Sequence, residues 1–285
     1  LNNLTDVEKF ISTTDLTTLK RDELLELNLI TDELKRRKLQ GECRENFLTF
    51  VRTMWSSFIE GAHHRIMCEQ FNKIAKGELK RVIINMAPRH SKSEMSSYML
   101  PSWLLGIRPD LKIIQATHTG ELAVRFGRKV RDLVDTREYK EIFPNVSLRA
   151  DSKAAGRWET TEGGEYFASG VGGAITGRGA DILIIDDPHS EQDALSETAM
   201  EMAYEWYTSG PRQRLQPGGV IILVMTRWSK KDLTGQLLKA QMSDLKADKW
   251  ELIEFPAIMP SGKPVWEEFW KIEELEGIRA SLPHS

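Results

Sequence analysis

Arg81-Val82-Ile83-Ile84-Asn85-Met86-Ala87-Pro88-Arg89-His90-Ser91-Lys92-Ser93-Glu94 decides how the rest of the chain is read. It opens as a short apolar run with β-branched residues, the pattern of a buried strand. The run breaks at Pro88, passes through small and polar residues, and reaches Ser91-Lys92-Ser93 before a predicted helix from Glu94 to Leu105. Strand, tight loop, Lys-Ser and helix follow in the order a phosphate-binding loop needs. Backbone N–H groups and the helix N-terminus face the anion, the lysine reaches the outer phosphates, and the serine hydroxyl takes Mg²⁺. Against G-x-x-x-x-G-K-[ST], Met86 and Ser91 stand where glycine is expected. Arg89, three residues before the lysine, adds a second cation suited to a polyphosphate. Pro88, Arg89, His90, Ser91, Lys92, Ser93 and Glu94 are therefore the candidate nucleotide-binding residues.

A chain of 285 residues holds one large α/β domain with appendages, or two domains. Its 40% hydrophobic and 28% charged content is that of an ordinary globular protein. No apolar run approaches a membrane span, so no membrane partner is expected. Two isolated cysteines, Cys43 and Cys68, exclude a disulfide framework and point to a reducing cytoplasm. A net charge of −3 gives no global footprint for nucleic acid, so any DNA contact has to be local.

Upstream of Arg81 the chain reads as helices: Leu24, Leu27 and Leu34 recur near helical spacing, and Phe47, Phe50, Val51, Met54 and Phe58 form an apolar stripe. Lys35-Arg36-Arg37-Lys38 reads as a solvated helix end. Adjacent His63 and His64 are poorly placed to share a metal. Downstream, strands and helices alternate. The expected strands are Val82–Asn85, Lys112–Ala116, Ile182–Ile185, Val220–Met225 and Glu251–Phe255, with a helix over Glu121–Val134 and a hairpin over Gly156–Ser169. Continuous Val/Ile/Leu runs predict a mostly parallel sheet covered on both faces, with ligands at the carboxyl ends of its strands.

Three strand ends carry further chemistry. Ile182-Leu183-Ile184-Ile185-Asp186-Asp187 is an apolar strand closing on paired carboxylates. Asp186 suits Mg²⁺ held through its water shell, and Asp187 suits the orientation or deprotonation of an attacking water. Arg178, in Gly177-Arg178-Gly179 eight residues before Asp186, is a candidate for a phosphate on its own or a neighbouring subunit's nucleotide. Val220–Met225 ends at Thr226-Arg227-Trp228, where Thr226 is placed to sense the γ-phosphate or attacking water and Trp228 is expected to pack. Trp55, His64 and Gln70 are candidates for an adenine pocket because they precede the first strand.

In this order the motifs resemble the large terminase subunit of tailed bacteriophages, the motor that packages DNA into the capsid. The resemblance rests on Ala87–Glu94, on Thr117-His118-Thr119 leading into Leu122-Ala123, on Gly177-Arg178-Gly179 before the Asp-Asp strand, and on Thr226-Arg227-Trp228 with Asp232-Leu233-Thr234-Gly235 beyond. It implies a P-loop NTPase with a RecA-like, mostly parallel sheet flanked by helices and an N-terminal helical region. It further implies ATP and Mg²⁺ as cofactors, with Lys92 and Ser93 for phosphate and metal and Asp186 as the Walker B carboxylate. Thr226 becomes the coupling residue, Arg178 an arginine finger within a ring of subunits, and Arg89 the loop arginine. Asp187 stands where many relatives carry glutamate, which leaves Glu191 in reserve. The implied organisation is a helical or lid region over residues 1–60, the ATPase core over 61–260 and the start of a linker over 261–285. The implied partners are double-stranded DNA, further copies in a ring on a portal, and a small terminase subunit, in the cytoplasm of an infected bacterium. The remaining residues are too few for the nuclease that usually follows in that family, so no DNA cleavage is expected of this chain. A related helicase or translocase, and an ATP-binding assembly scaffold with little turnover, are the alternatives.

Overall fold

The computed structural model describes residues 4–13, 18–175 and 177–281, the side chain of Lys153 excepted. One eight-stranded sheet organises the chain. Its strands are β1 (Arg81–Met86), β2 (Lys112–Thr117), β3 (Leu148–Ala154), β4 (Arg157–Thr160), β5 (Glu165–Gly170), β6 (Ala180–Asp186), β7 (Leu215–Met225) and β8 (Glu251–Phe255). They lie in the order β3-β4-β5-β2-β6-β7-β1-β8. The five strands from β2 to β8 run parallel, and β5 extends them, also parallel to β2. The pairs β3–β4 and β4–β5 are antiparallel, which closes one edge with the expected hairpin.

The apolar runs explain the centre of this sheet. Val82, Ile83, Ile84, Leu183, Ile184, Ile185 and Ile221 through Met225 are all buried, on both faces of their strands. Even-numbered residues of β1, β6 and β7 enter one core with Phe47, Phe50, Phe71, Trp103 and Tyr139. Odd-numbered residues enter a second core with Tyr207, Leu233, Leu237 and Trp250. A strand needs no polar face when helices cover both sides, and each fully buried Ile or Leu contributes about 1.5–3 kcal/mol.

The first core is roofed by α2 (Arg21–Glu45), α3 (Phe47–Met54), α4 (Ala62–Ala75), α5 (Leu100–Ile107) and α6 (Gly120–Val134), and α1 (Leu4–Thr13) precedes them. Phe50 and Phe47 of α3 pack against Tyr139, Phe71 and Trp103, so the N-terminal helices share the core of the sheet. The short α7 (Arg137–Ile142) supplies Tyr139, α8 (Glu197–Ser209) and α9 (Leu233–Ser243) cover the second core, and α10 (Ile272–Ser281) lies near the chain's end.

Three local expectations differ from the structure. The helix read from Glu94 opens as a π-helical segment, Glu94–Met99, before α5 takes over. Lys35-Arg36-Arg37-Lys38 lies in the middle of α2, where Arg36 and Arg37 pair with Glu33 one turn back, so its charge is balanced by an i,i+3/i,i+4 carboxylate and not by the helix end. Trp228 does not pack inside: it is 37% exposed. No helix among the described residues is long and apolar enough to cross a membrane.

Candidate functional site at the carboxyl ends of the central strands

β6, β7 and β1 are neighbours, so the segments that leave their carboxyl ends are neighbours too. From β1 comes the loop Ala87–Ser93, from β6 the pair Asp186-Asp187, and from β7 Thr226. Lys92 Nζ lies 2.8 Å from Asp187 Oδ2. The Ser93 hydroxyl donates to Asp186 Oδ1 at 3.0 Å, and the Ser97 hydroxyl donates to Asp186 Oδ2 at 2.7 Å. Thr226 N–H donates to the other oxygen of Asp187 at 2.7 Å, while its hydroxyl leans on the Met86 carbonyl at 3.4 Å. Lys92, Ser93, Asp186, Asp187 and Thr226 thus form one constellation. Ser97 joins it without having been singled out in the sequence. It stands four residues after Ser93, so the first turn of the helix brings both hydroxyls to one side.

Asp186 is 2% exposed. Burial raises its pKa first and the neighbouring Asp187 charge second, to about 7, against the opposing pull of Ser97, Lys92 and Ser93. A carboxyl group held that way gains from any cation brought beside it. Asp187 has φ 42 and precedes Pro188. Its backbone carbonyl accepts the His118 N–H at 3.2 Å and its own N–H donates to Val224 at 2.9 Å. With Lys92 and Thr226 on its side chain, the residue is held from four directions, the condition under which a costly backbone conformation persists.

The loop itself turns left-handed twice, at Arg89 and at Ser91, each with φ 62. Such a conformation costs an ordinary L residue roughly 1–2 kcal/mol relative to glycine. Arg89 is exposed and His90 is buried, with His90 Nδ1 2.8 Å from the Pro88 carbonyl. Glu94 is turned away from the carboxylates and pairs with Lys129 of α6 at 2.5 Å. Beside the loop a cleft of about 400 Å³ opens between Pro88, Thr226, Arg227 and Phe255.

Asp232 organises the segment after Thr226. Its side chain is fully buried; Oδ1 accepts Gly235 N–H as the cap of α9, and Oδ2 accepts Trp228 N–H at 2.9 Å and Arg227 Nε at 3.0 Å. His189, two residues after Asp187, accepts the Leu233 N–H at 2.9 Å. The carboxylate loop and the start of α9 are therefore joined directly.

Arg178 is elsewhere. It pairs with Glu165 at the start of β5, and its guanidinium sits 4.2 Å from the ring centre of Phe167. Phe167 is level with Leu183, three residues and roughly 10 Å along the strand from Asp186. It also packs into the second core with Leu183, whereas Asp186 falls on the face of Ile184 in the first. Arg178 and the Lys92 constellation thus lie on opposite faces of the sheet. Glu191 is exposed beyond the turn. Trp55 packs against Phe58 with the rings tilted, Gln70 accepts from Lys73, and His64 lies against Ser91.

Two carboxylates, two hydroxyls and one lysine are hard oxygen donors and a cation. Among the described residues no group of three or more His, Cys, Asp and Glu is arranged to hold a metal. The donors present suit Mg²⁺, which keeps its waters and binds through one or two carboxylates plus phosphate oxygens. Ser93 and Asp186 would hold that ion, and Lys92 with the loop amides would hold the polyphosphate.

No family model matches the sequence, and no curated protein matches it. Among solved structures the chain is similar to the HK97 bacteriophage large terminase, at 13% identity and a TM-score of 0.48 over 75% of this chain; it spans about half, 47%, of that one. It is also similar to a mutant of the large terminase ATPase domain of Thermus phage P74-26, at 14% identity and a TM-score of 0.44, over 75% of this chain and 88% of that one. Both are large terminases, the family that the motif order resembles. At such identity neither match assigns an activity to this chain.

Proposed function

We propose that this chain is an ATPase that drives double-stranded DNA into a viral procapsid, binding Mg²⁺-ATP across the carboxyl ends of β1, β6 and β7. One observation carries the reading: Lys92, the Ser93 hydroxyl, Asp186 and Asp187, separated by more than ninety residues of sequence, meet within hydrogen-bonding distance. Magnesium, when bound, neutralises phosphate charge beside Asp186. Lys92 exchanges Asp187 for the outer phosphate oxygens. That exchange frees Asp187 Oδ2 to take the proton of the attacking water, while Thr226 N–H keeps Oδ1 in place. Arg178, on the far face, serves a neighbouring subunit in a ring and not its own nucleotide. Movement reaches α9 through Thr226, Arg227 and Asp232, and through His189. DNA, a portal-bound ring and a small terminase subunit complete the proposed assembly, in the cytoplasm of the infected host.

A second reading is an ATP-binding scaffold with little turnover, and it has an observation of its own. Both Asp187 oxygens are already occupied, by Lys92 and by Thr226 N–H. Steady-state hydrolysis separates the two. A rate that rises with protein concentration or DNA, and that Asp187→Ala removes, supports the motor. An already negligible rate, equal in wild type and Asp187→Ala, supports the scaffold.

A further inference from the structure

The left-handed turn at Ser91 is the position where a phosphate loop ordinarily carries glycine, and a residue with a Cβ holds it only if its surroundings compel it. The surroundings here are a chain of hydrogen bonds reaching back to the start of α4. Gly61 N–H donates to His64 Nδ1 at 2.9 Å, so the ring proton is on Nε2. Nε2 lies 2.5 Å from the Ser91 hydroxyl, which in turn donates to the His90 carbonyl at 2.6 Å. His90 closes the series on the Pro88 carbonyl. His64 is fully buried, wedged between Phe58 at 4.9 Å, His63 at 3.8 Å and Trp266 at 4.9 Å. Burial, then the neighbouring histidines, push its pKa down to about 2, so the ring stays neutral and keeps this tautomer.

We propose that His64 is a positioning residue for the phosphate loop: through the Ser91 hydroxyl it locks Pro88–Ser93 in its anion-binding shape, doing with a hydrogen bond what glycine does by lacking a Cβ. The proposal rests on Pro88–Ser93 being a phosphate loop. A loop that visits other shapes binds in proportion to the fraction in the competent one, so loosening the lock appears as weaker apparent affinity.

The test is a double-mutant cycle on the full chain, read by ATP titration and by amide hydrogen exchange of residues 89–93 without nucleotide. His64→Ala is expected to weaken ATP binding about tenfold, the scale of one buried hydrogen bond. Added to Ser91→Gly, the same change is expected to cost less than about twofold, because glycine needs no brace. Ser91→Ala, which keeps the Cβ and loses the hydroxyl, is expected to bind more weakly and exchange faster than Ser91→Gly. His64→Gln, whose amide N–H reaches the same hydroxyl, is expected to recover most of the loss. Equal effects of His64→Ala in both backgrounds, or Ser91→Ala and Ser91→Gly behaving alike, overturn the proposal. If His64→Ala does not fold, the Ser91 pair and His64→Gln decide it. If the wild type binds no ATP, the reading of the site fails, and the exchange pattern still decides the brace.

Discussion

The two ends of β6 present opposite cases of the same chemistry. At its carboxyl end Asp186 and Asp187 meet Lys92 and Ser93, which arrive from the end of β1 two strands away. At its amino end Arg178 belongs to the same stretch of sequence, yet it pairs with Glu165 and Phe167 on the other face. Nearness in sequence worked against contact, because an extended strand carries its two ends apart at about 3.3 Å per residue and alternates faces. Distance in sequence worked for it, because parallel neighbours deliver their carboxyl ends to one line. What the contrast teaches is that the lysine and the carboxylates meet within this chain, whereas the glycine-flanked Arg178 is engaged by Glu165 and Phe167 away from them.

The largest expected effect tests that division. Arg178→Ala should leave ATP binding intact and lower turnover of the assembled protein about 10³-fold, while dilute monomer turnover stays as in wild type. Normal hydrolysis by the assembled variant, or a loss that does not depend on protein concentration, would break the contrast. At the other end, Lys92→Ala should abolish measurable ATP binding and reduce kcat/KM by about 10²–10³-fold at any concentration.

Asp186 sharpens the comparison through pH. Its folded pKa, about 7, stands above the ordinary aspartate value of 3.8, so its contribution to stability is full below about 4 and is lost as pH climbs through 7. The nucleotide-free protein should therefore lose a few kcal/mol more between pH 5 and pH 8 than Asp186→Asn does, measured by denaturant titration. Parallel pH profiles for the two proteins would sink this. The smallest effect belongs to the amino end: Glu165→Gln, which removes the partly exposed ion pairs with Arg178 and Arg157, should cost less than about 1 kcal/mol in the same assay. A larger cost, matched by Arg178→Ala and not by Arg157→Ala, would mean that Arg178 is a structural anchor and not a group held in waiting.

Much of this was legible beforehand, and the reason differs by region. β8 was read residue for residue, Glu251–Phe255; β1, β2 and β6 run one residue further at their carboxyl ends than read, and β7 starts earlier, at Leu215 and not Val220. A strand buried on both faces leaves an uninterrupted apolar run, and the polar residue that ends it marks the carboxyl edge. Asp186, Asp187 and Thr226 were found because they end or directly follow such a run, and Lys92 because it closes the Lys-Ser loop that leaves one. Ser97 and Asp232 were given no place at the site, and His64 was offered only for an adenine pocket, because a serine in a helix, an aspartate before Leu-Thr-Gly and a histidine ahead of the first strand look the same whether or not they touch a site. Trp228 was expected to pack, and Asp232 holds its backbone where the residue stays 37% exposed.

By itself the sequence determined which segments are strands, which of their ends are polar and which residue types are at hand for phosphate and magnesium, since these follow from local periodicity and side-chain chemistry. Only the tertiary structure decided which strand lies beside which. That choice set Lys92 against Asp187, sent Arg178 to the opposite face and put His64 behind Ser91. Strand order is settled by how two cores close around one sheet, a property that no local stretch of sequence contains.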